Sequence, residues 1–255
     1  MNDYIEIQDH YDRGDHYVRS TSTTTPAAAF GSVMTRVYTW MGIALCVTAA
    51  AAFLVVSSPN ALELIYGNSA AIWVLAIAEL ALVMGIGFGI NRLSPAKATA
   101  LFLLYAALNG VTLSSIFFAY SIGTITQAFA ASALTFGAMS LVGLTTKRDL
   151  SGLGGILIMA LIGLIIASVI NIFWANSTMD AIITYAGVFI FVGLTAYDTQ
   201  KIKQMSAAAE QGAEMGYVTD AAAPRRIAII GALMLYLDFI NLFLYILCLL
   251  GRSRD

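Results

Sequence analysis

Charged residues are scarce in this sequence. Asp, Glu, Lys and Arg make up 11% of the 255 residues, whereas a typical soluble domain has about 25%. Hydrophobic residues make up 59%, and the mean hydropathy is +0.81. Because no soluble fold of this length buries so much apolar surface, soluble protein classes are excluded. The composition predicts an all-α polytopic membrane protein whose main partner is the lipid bilayer.

Cysteine and histidine are almost absent from the apolar part of the chain. The two cysteines, Cys46 and Cys248, lie in apolar runs, and we expect small buried residues there rather than a disulfide or a redox site. Both histidines, His10 and His16, lie in the polar N-terminal segment. None is therefore left for a histidine-ligated metal or a catalytic triad within the membrane. We expect no cofactor, no enzymatic activity and no nucleic-acid partner.

The two ends of the chain differ from its middle. Residues 1–30 contain five acidic residues and no basic start followed by a short apolar core, so they are not a signal peptide. We expect a disordered cytoplasmic arm here. Residues 31–251 form the predicted membrane domain, and residues 252–255 form a short basic tail.

Long uncharged runs predict seven transmembrane helices. A span needs about 20 apolar residues, each adding about 1.5 Å of length. All four prolines lie between these runs, as expected for residues that interrupt helices. The predicted spans, numbered from the N-terminus, are residues 35–57, 71–91, 97–119, 125–145, 153–174, 181–200 and 227–250.

Lys and Arg are absent from every second connection between the spans. The connections after spans 1, 3 and 5 contain none. All but two lie in the N-terminal segment, at the first residues of spans 1 and 3, or in the connections after spans 2, 4 and 6. This alternation predicts that the N-terminus and the basic connections face the cytoplasm. The remaining two, Arg252 and Arg254, lie outside if all seven spans cross fully and inside if the last one re-enters. We favour seven full crossings.

Three acidic residues fall within the predicted spans: Glu79, Asp198 and Asp238. Each ionisable side chain costs about 2.5–3.5 kcal/mol at the centre of a span on insertion scales, so each requires a reason. No Lys or Arg lies deep within a predicted span. A buried salt bridge can therefore form only with a cation at a helix end, such as Arg92 or Lys201.

Two of these acids are predicted to meet. Asp238 lies well inside span 7, with Asn241 and Tyr245 on the same helical face, and this polar stripe makes the C-terminal helix the candidate central helix. Asp198 lies near the cytoplasmic end of span 6, which runs antiparallel to span 7. Two carboxylates in contact cannot both ionise cheaply, so the pair would share one proton over a wide pH range and act as a pH-sensitive latch. Alternatively, each acid separately caps a helix end or contacts the backbone.

Glu79, in the middle of span 2, allows two interpretations. Its carboxylate can attract a cation that moves through the bundle. It can instead accept a structural hydrogen bond from Asn109, Ser114 or Ser115 in span 3. The sequence alone leaves both open.

The stretch GIGFGI near the end of span 2 resembles a nucleotide-binding glycine loop only superficially. It lies inside an apolar helix, and its outer glycines, Gly85 and Gly89, are four residues apart. This spacing predicts the close approach of a neighbouring helix instead.

Three stretches together resemble bacterial members of the transmembrane Bax inhibitor motif family. They are NGVTLSSIF in span 3, GLTAYDTQKI at the end of span 6 and LYLDFINLFLYIL in span 7. The last two in tandem are highly specific, and the similarity extends from about residue 30 to about residue 250. The resemblance implies seven helices with the last one surrounded by the other six. It also implies a pH-sensitive calcium leak across the bacterial inner membrane.

The resemblance further implies roles for individual residues. Asp198 and Asp238 match the carboxylate pair of the family, which would contact Ca²⁺ transiently, and Glu79 matches an acid of the ion path. An arginine that latches onto the pair in bacterial relatives aligns with Ile90, so Arg92, two residues later, is the candidate latch. The connection between spans 6 and 7 is longer than is usual in the family and either extends span 6 or forms a mobile loop.

Two other functions compete with a calcium leak. An intramembrane aspartyl protease also needs two aspartates on neighbouring helices, but LYL precedes Asp238 where such enzymes use Gly-x-Gly, and no Pro-Ala-Leu motif follows. A regulatory partner of membrane proteases or stress machinery, with no transport of its own, is compatible with everything in the sequence. A pH-gated calcium pathway is the leading hypothesis.

Overall fold

The computed structural model describes residues 26–90, 92–214 and 223–252. Within these ranges the chain forms nine helices, and seven segments are long and apolar enough to cross a membrane. The prediction of an all-α protein with seven candidate spans is confirmed. Most of the predicted N-terminal arm, the middle of the connection between spans 6 and 7, and most of the predicted basic tail lie outside the described residues.

Prolines mark where helices begin. Three helices have proline as their first residue, and Pro224 is the second residue of the last helix. Proline fits the first turn because its missing N–H has no partner within the helix there. The helices are α1 (Pro26–Val56), α2 (Pro59–Tyr66), α3 (Ser69–Gly89), α4 (Pro95–Leu113), α5 (Ile116–Ala119), α6 (Ile122–Thr145), α7 (Ser151–Trp174), α8 (Ser177–Glu214) and α9 (Ala223–Arg252).

The C-terminal helix α9 lies at the centre of the bundle. Half of the residues in its most apolar stretch are buried, against 6% in α3 and 11% in α7. It packs against α8, α1, α6 and α4, in decreasing order of contact. The family resemblance implies six helices around it, whereas α3 and α7 make their main contacts with α4 and α8. These two peripheral helices leave space between themselves and α9.

The third predicted span, residues 97–119, is interrupted rather than continuous. A break follows α4, and the single turn α5 completes the span. Two serines at the break donate to carbonyl groups three residues earlier, Ser114 Oγ to Val111 over 2.6 Å and Ser115 Oγ to Thr112 over 3.0 Å. Such bonds compete with the backbone ladder and bend helices. α4 and α5 nevertheless form one candidate span together, Pro95–Ala119.

The sixth span is longer than predicted. α8 continues without a break past residue 200 to Glu214. Of the two alternatives for the long connection, an extended helix is therefore the one observed as far as Glu214. Asp198 consequently lies well within α8 rather than near its end.

Helices approach closely at glycines other than the predicted ones. A Cβ added to Gly110 would lie 2.3 Å from the Thr48 carbonyl oxygen, and one added to Gly143 would lie 2.4 Å from a carbonyl oxygen of α8. These glycines allow α4 to pack against α1 and α6 to pack against α8. A Cβ added to Gly85 would meet nothing within 4 Å, and one added to Gly89 would meet only a side chain four residues later. The packing predicted for these two glycines is wrong because α3 is peripheral.

Candidate functional site

A cavity of about 640 Å³ lies between the central helix and the peripheral helices α3 and α7, with α8 beside it. We call it the aspartate cavity. All three acids of the predicted spans line it, Glu79 from α3, Asp198 from α8 and Asp238 from α9. The other polar side chains in its lining are Tyr105, Tyr197, Lys201, Asn241 and Tyr245.

Asp238 is buried in the middle of α9. Its side chain is 4% exposed, and its Oδ2 atom has no hydrogen-bond partner within the described part of the chain. Asp198, on the neighbouring helix α8, lines the same cavity. The two carboxyl groups therefore face one space.

Small residues on neighbouring helices hold the segment around Asp198 in position. The Tyr197 ring lies over Gly154 of α7, where an added Cβ would come within 2.2 Å of it. Thr199 is fully buried and packs against Gly143 of α6. Because the residues on both sides of Asp198 fit against glycines, this part of α8 has one defined rotation, with its carboxylate toward the cavity.

Gln200 fixes the same segment to the connection between α6 and α7. Its Oε1 atom accepts from the Leu150 N–H over 2.8 Å, and its Nε2 atom donates to the Arg148 carbonyl over 2.8 Å. Both bonds are to the backbone, so they depend on Gln200 and on no other side chain. The glutamine thus ties α8 to the neighbouring helix pair two residues beyond Asp198.

Lys201 is the cation that the fold places beside Asp198. It follows three residues later on α8, and it also lines the aspartate cavity. Its Nζ atom also lies 5.8 Å from the centroid of the Tyr197 ring, within cation–π range. Arg92, the candidate latch, is exposed in the connection between α3 and α4 and does not line the cavity. Of the two cations considered from the sequence, the structure brings Lys201 to the acids.

Glu79 accepts two hydrogen bonds from α4. Thr112 Oγ1 donates to Oε1 over 2.6 Å, and Asn109 Nδ2 donates to Oε2 over 3.4 Å. Asn109 Oδ1 accepts in turn from Tyr236 OH over 3.1 Å. The Tyr236 oxygen lies 2.7 Å from Thr48 Oγ1. One chain of polar groups thus links Glu79 through α4 to α9 and α1.

The other two partners considered for Glu79 lie elsewhere. Ser114 Oγ lies 2.8 Å from Tyr66 OH of α2, and Ser115 Oγ bonds to its own helix backbone. Asn109 is therefore the one of the three that contacts Glu79. The two interpretations of Glu79 are compatible, because the acid is hydrogen-bonded and also lines the cavity.

Asn241 and Tyr245 continue the cavity lining along α9. Asn241 Nδ2 donates to a carbonyl of its own helix, that of Leu237, over 2.8 Å. The Tyr245 ring stacks on Phe191 of α8, with centroids 5.8 Å apart and an interplanar angle of 24°. The polar stripe of α9 and the acid of α8 therefore face the same space.

The acids of this cavity suit a cation in passage. Among the described residues, no group of three or more His, Cys, Asp or Glu side chains is arranged to hold a metal ion. Carboxylate and carbonyl oxygens are nevertheless the ligands that Ca²⁺ prefers. Three carboxyl groups from three helices around the cavity offer such ligands without forming one cage.

Sequence reasoning missed three members of the polar chain that reaches Glu79. Thr112 could have been predicted from the sequence, because it follows Asn109 by three residues and therefore shares its helical face. Tyr236 lies two residues before Asp238, and a buried hydroxyl group needs a partner. No sequence signal marks Thr48, which lies in an apolar run of α1.

Known proteins with similar sequences cover nearly the whole chain. Residues 31–255 match the family described as "Inhibitor of apoptosis-promoting Bax1". The chain is 45% identical over 240 residues to inner membrane protein YbhL of Escherichia coli strain K12, covering 94% of this chain and 100% of that protein. It is 41% identical over 222 residues to an uncharacterized protein of Borreliella burgdorferi, covering 87% of this chain and 92% of that protein. An uncharacterized protein of Deinococcus radiodurans is also 41% identical over 222 residues, covering 87% of this chain and 90% of that protein.

Proposed function

This chain belongs to the Bax inhibitor family of membrane proteins, and on that premise we propose that it forms a pH-sensitive pathway for Ca²⁺ or a similar cation, gated by Asp198 and Asp238. The proposed location is the bacterial inner membrane, in line with the name of the Escherichia coli relative. The distribution of Lys and Arg favours a cytoplasmic N-terminus. In this proposal Ca²⁺ is the transported ion, no cofactor takes part and no covalent bond is broken.

The observation that carries the proposal is the shared lining of the aspartate cavity. Glu79, Asp198 and Asp238 come from three different helices and face the same space of about 640 Å³. Carboxyl groups within a span are costly unless they serve a pathway or have partners, and Asp238 Oδ2 has no partner within the described residues. A negatively charged cavity of this kind attracts cations from the solvent.

The proposed gate acts through repulsion between the two aspartates. When both carboxyl groups are ionised, they repel each other and favour a looser arrangement of α8 and α9. When they share a proton, the repulsion disappears and the protonated group can donate a hydrogen bond to the other. The repulsion therefore exists only at the higher pH, so we expect cation flux to rise with pH.

Ca²⁺ flux into liposomes that contain the purified protein tests this proposal between about pH 5 and about pH 8. We expect the wild type to show flux that rises severalfold over this range. Asp198→Asn and Asp238→Asn each remove one of the two charges, so their flux should lose most of its pH dependence. Asp149→Asn provides the control, because Asp149 is fully exposed in the connection between α6 and α7.

Two outcomes would contradict the proposal. Identical flux and identical pH dependence in the wild type and both cavity variants would show that the aspartates do not gate it. Absence of flux at every pH from folded wild-type protein would favour the regulatory function without transport.

A further inference from the structure

A second cavity lies farther along the same helices. It has a volume of about 780 Å³, and we call it the arginine cavity. At one end of the bundle, Arg252 at the end of α9 pairs with Asp180 in the first turn of α8, with Nη2 and Oδ2 3.3 Å apart. The other polar side chains in its lining are Tyr120, Ser121, Thr124, Ser168, Thr184, Tyr245 and Cys248.

One face of α9 lines both cavities. Asp238 and Asn241 face the aspartate cavity, and Cys248 and Arg252 face the arginine cavity. Tyr245 lies between these two pairs. Successive members of this series are three or four residues apart, so they form one continuous stripe along the helix. At 1.5 Å per residue, Tyr245 lies about 10 Å from Asp238 and about 10 Å from Arg252 along the axis.

One face of α8 also lines both cavities, in the reverse order along the chain because α8 runs antiparallel to α9. Asp198, Leu194 and Phe191 face the aspartate cavity, whereas Thr184 and Asp180 face the arginine cavity. Between these two groups the helix has a glycine, Gly187, and no side chain projects from it toward α9. The two antiparallel helices thus carry matching stripes of cavity-lining residues. Along each stripe the lining passes from one cavity to the other at one position, Tyr245 on α9 and Gly187 on α8.

Tyr245 occupies the position where the two cavities meet. Among the described residues, it is the one that lines both of them. Its ring stacks on Phe191 and lies over Gly187, where an added Cβ would come within 2.7 Å of three ring atoms. The missing side chain of the glycine therefore makes the room that the tyrosine ring fills.

We infer that Tyr245 is the barrier between two water-filled cavities that open toward opposite faces of the membrane. This inference rests on the proposed function, because it identifies where the cation pathway is interrupted. The aspartate cavity contains the charged gate, and the aromatic ring closes the route from there to the arginine cavity. Gly187 is a positioning residue, since it acts only by giving the ring its place.

Access of a membrane-impermeant thiol reagent tests the barrier without any measurement of transport. Cys248 is a natural reporter in the arginine cavity, and Asn241→Cys places a reporter in the aspartate cavity. The Cys248 reporter is studied in a protein in which Cys46 is changed to serine. The Asn241→Cys reporter is studied in a protein in which both natural cysteines are changed to serine. The reagent is added either to spheroplasts or to inverted membrane vesicles. With Tyr245 in place, we expect each reporter to react from one face only, and the two reporters from opposite faces.

Removal of the ring should merge the two cavities. In Tyr245→Ala, both reporters should react severalfold faster from the previously closed face, whereas Tyr245→Phe should leave the pattern unchanged. Gly187→Ala is an independent variant, since its methyl group displaces the ring without altering the tyrosine. Gly163→Ala is its control, because a Cβ added there meets nothing within 4 Å.

Several results would overturn the barrier. The barrier is contradicted if either reporter reacts from both faces in the presence of Tyr245, or if neither reporter reacts. It is also contradicted if the pattern is unchanged in both Tyr245→Ala and Gly187→Ala.

Parallel Ca²⁺ flux measurements separate this inference from the proposed function. If Tyr245→Ala merges the cavities but no variant conducts Ca²⁺, the barrier stands and the proposed function fails. If Ca²⁺ flux depends on pH and on the aspartates, but replacing Tyr245 changes neither reagent access nor flux, the proposed function stands and the barrier fails.

Discussion

Tyr236 connects three helices through one hydroxyl group. Its side chain is fully buried on α9, and its oxygen bonds to Asn109 of α4 and Thr48 of α1. The rings of Phe102 and Tyr105 pack edge-on against it, at centroid distances of 5.6 and 5.8 Å. This hydroxyl group therefore fixes the amide that holds the acid of α3.

Tyr236→Phe should destabilise the protein by about 1–3 kcal/mol, because it leaves the buried Asn109 Oδ1 without its donor. The free energy of unfolding, measured by SDS titration in mixed micelles, checks this. Tyr185→Phe is the matched control, since Tyr185 is 55% exposed, and its effect should stay within about 0.5 kcal/mol. Equal effects of the two substitutions would contradict the role of the buried hydroxyl group.

Sequence reasoning at the residue scale located the acids and one partner of Glu79, Asn109, but not the rest of the polar chain behind it. An acid inside an apolar run is conspicuous because its insertion is costly, and this pointed to Glu79, Asp198 and Asp238. The partners of Tyr236 lie 127 and 188 positions away in the chain. No local pattern reports such contacts, so the polar chain behind Glu79 required the fold.

At the scale of helices, α1 and α4 pack through a glycine that leaves no space for a methyl group. The Cβ of an alanine at position 110 would lie 2.3 Å from the Thr48 carbonyl oxygen and 2.8 Å from the Ala51 Cβ atom. The first of these contacts is with backbone, which cannot rotate away as a side chain can. The two helices would have to separate to accommodate it.

Gly110→Ala should therefore destabilise the protein by about 1–3 kcal/mol, in the range of overpacked cores. The thermal unfolding midpoint of the purified protein in detergent checks the direction. Gly85→Ala should be neutral or stabilising by up to about 1 kcal/mol, because the added methyl group meets open space and alanine favours helices. A lower midpoint for Gly85→Ala than for Gly110→Ala would contradict the packing described here.

Helix boundaries were predicted where the sequence carries a chemical reason for them. Proline marked helix starts because it cannot occupy a helix interior. Charge after residue 200 marked the exit from the membrane, but Ala, Glu, Gln and Lys are strong helix formers, and α8 continues through them to Glu214. The break after α4 arises from serine bonds to the backbone, which hydropathy does not report.

At the scale of the whole molecule, the contact between Arg252 and Asp180 shows where the last helix ends relative to α8. α8 begins and α9 ends at the same end of the bundle, since the two side chains lie 3.3 Å apart. Lys201 and Lys203 lie far along α8 from this end. The last helix therefore runs to that end of the bundle without turning back, which favours a complete crossing over a re-entrant segment.

Alkaline phosphatase fusions test this topology in a bacterial membrane, because the enzyme becomes active only outside the cytoplasm. A fusion after Arg252 should be active, and a fusion after Lys203 should be inactive. The reason is the alternation of basic connections, which places the Lys203 end in the cytoplasm. An inactive fusion after Arg252, with the protein still inserted, would contradict seven full crossings in this orientation.

Hydropathy and charge placement predicted the number of spans and the central last helix, but not the arrangement around it. Average hydropathy does not indicate which spans are peripheral. The space between α9 and the peripheral helices α3 and α7 follows from their main contacts with α4 and α8. The sequence therefore predicted a pair of aspartates but not a cavity that Glu79 also lines.

The length of α8 makes it a lever. Its 38 residues span about 57 Å, nearly twice the about 30 Å of hydrocarbon in a bilayer. Asp198 lies partway along it, and about 24 Å of helix extends beyond that acid to Glu214. Gln200 and Lys203 bond to the backbone of residues 144–150 close after Asp198. These bonds are the fulcrum at which any tilt of the far arm would act on the acid.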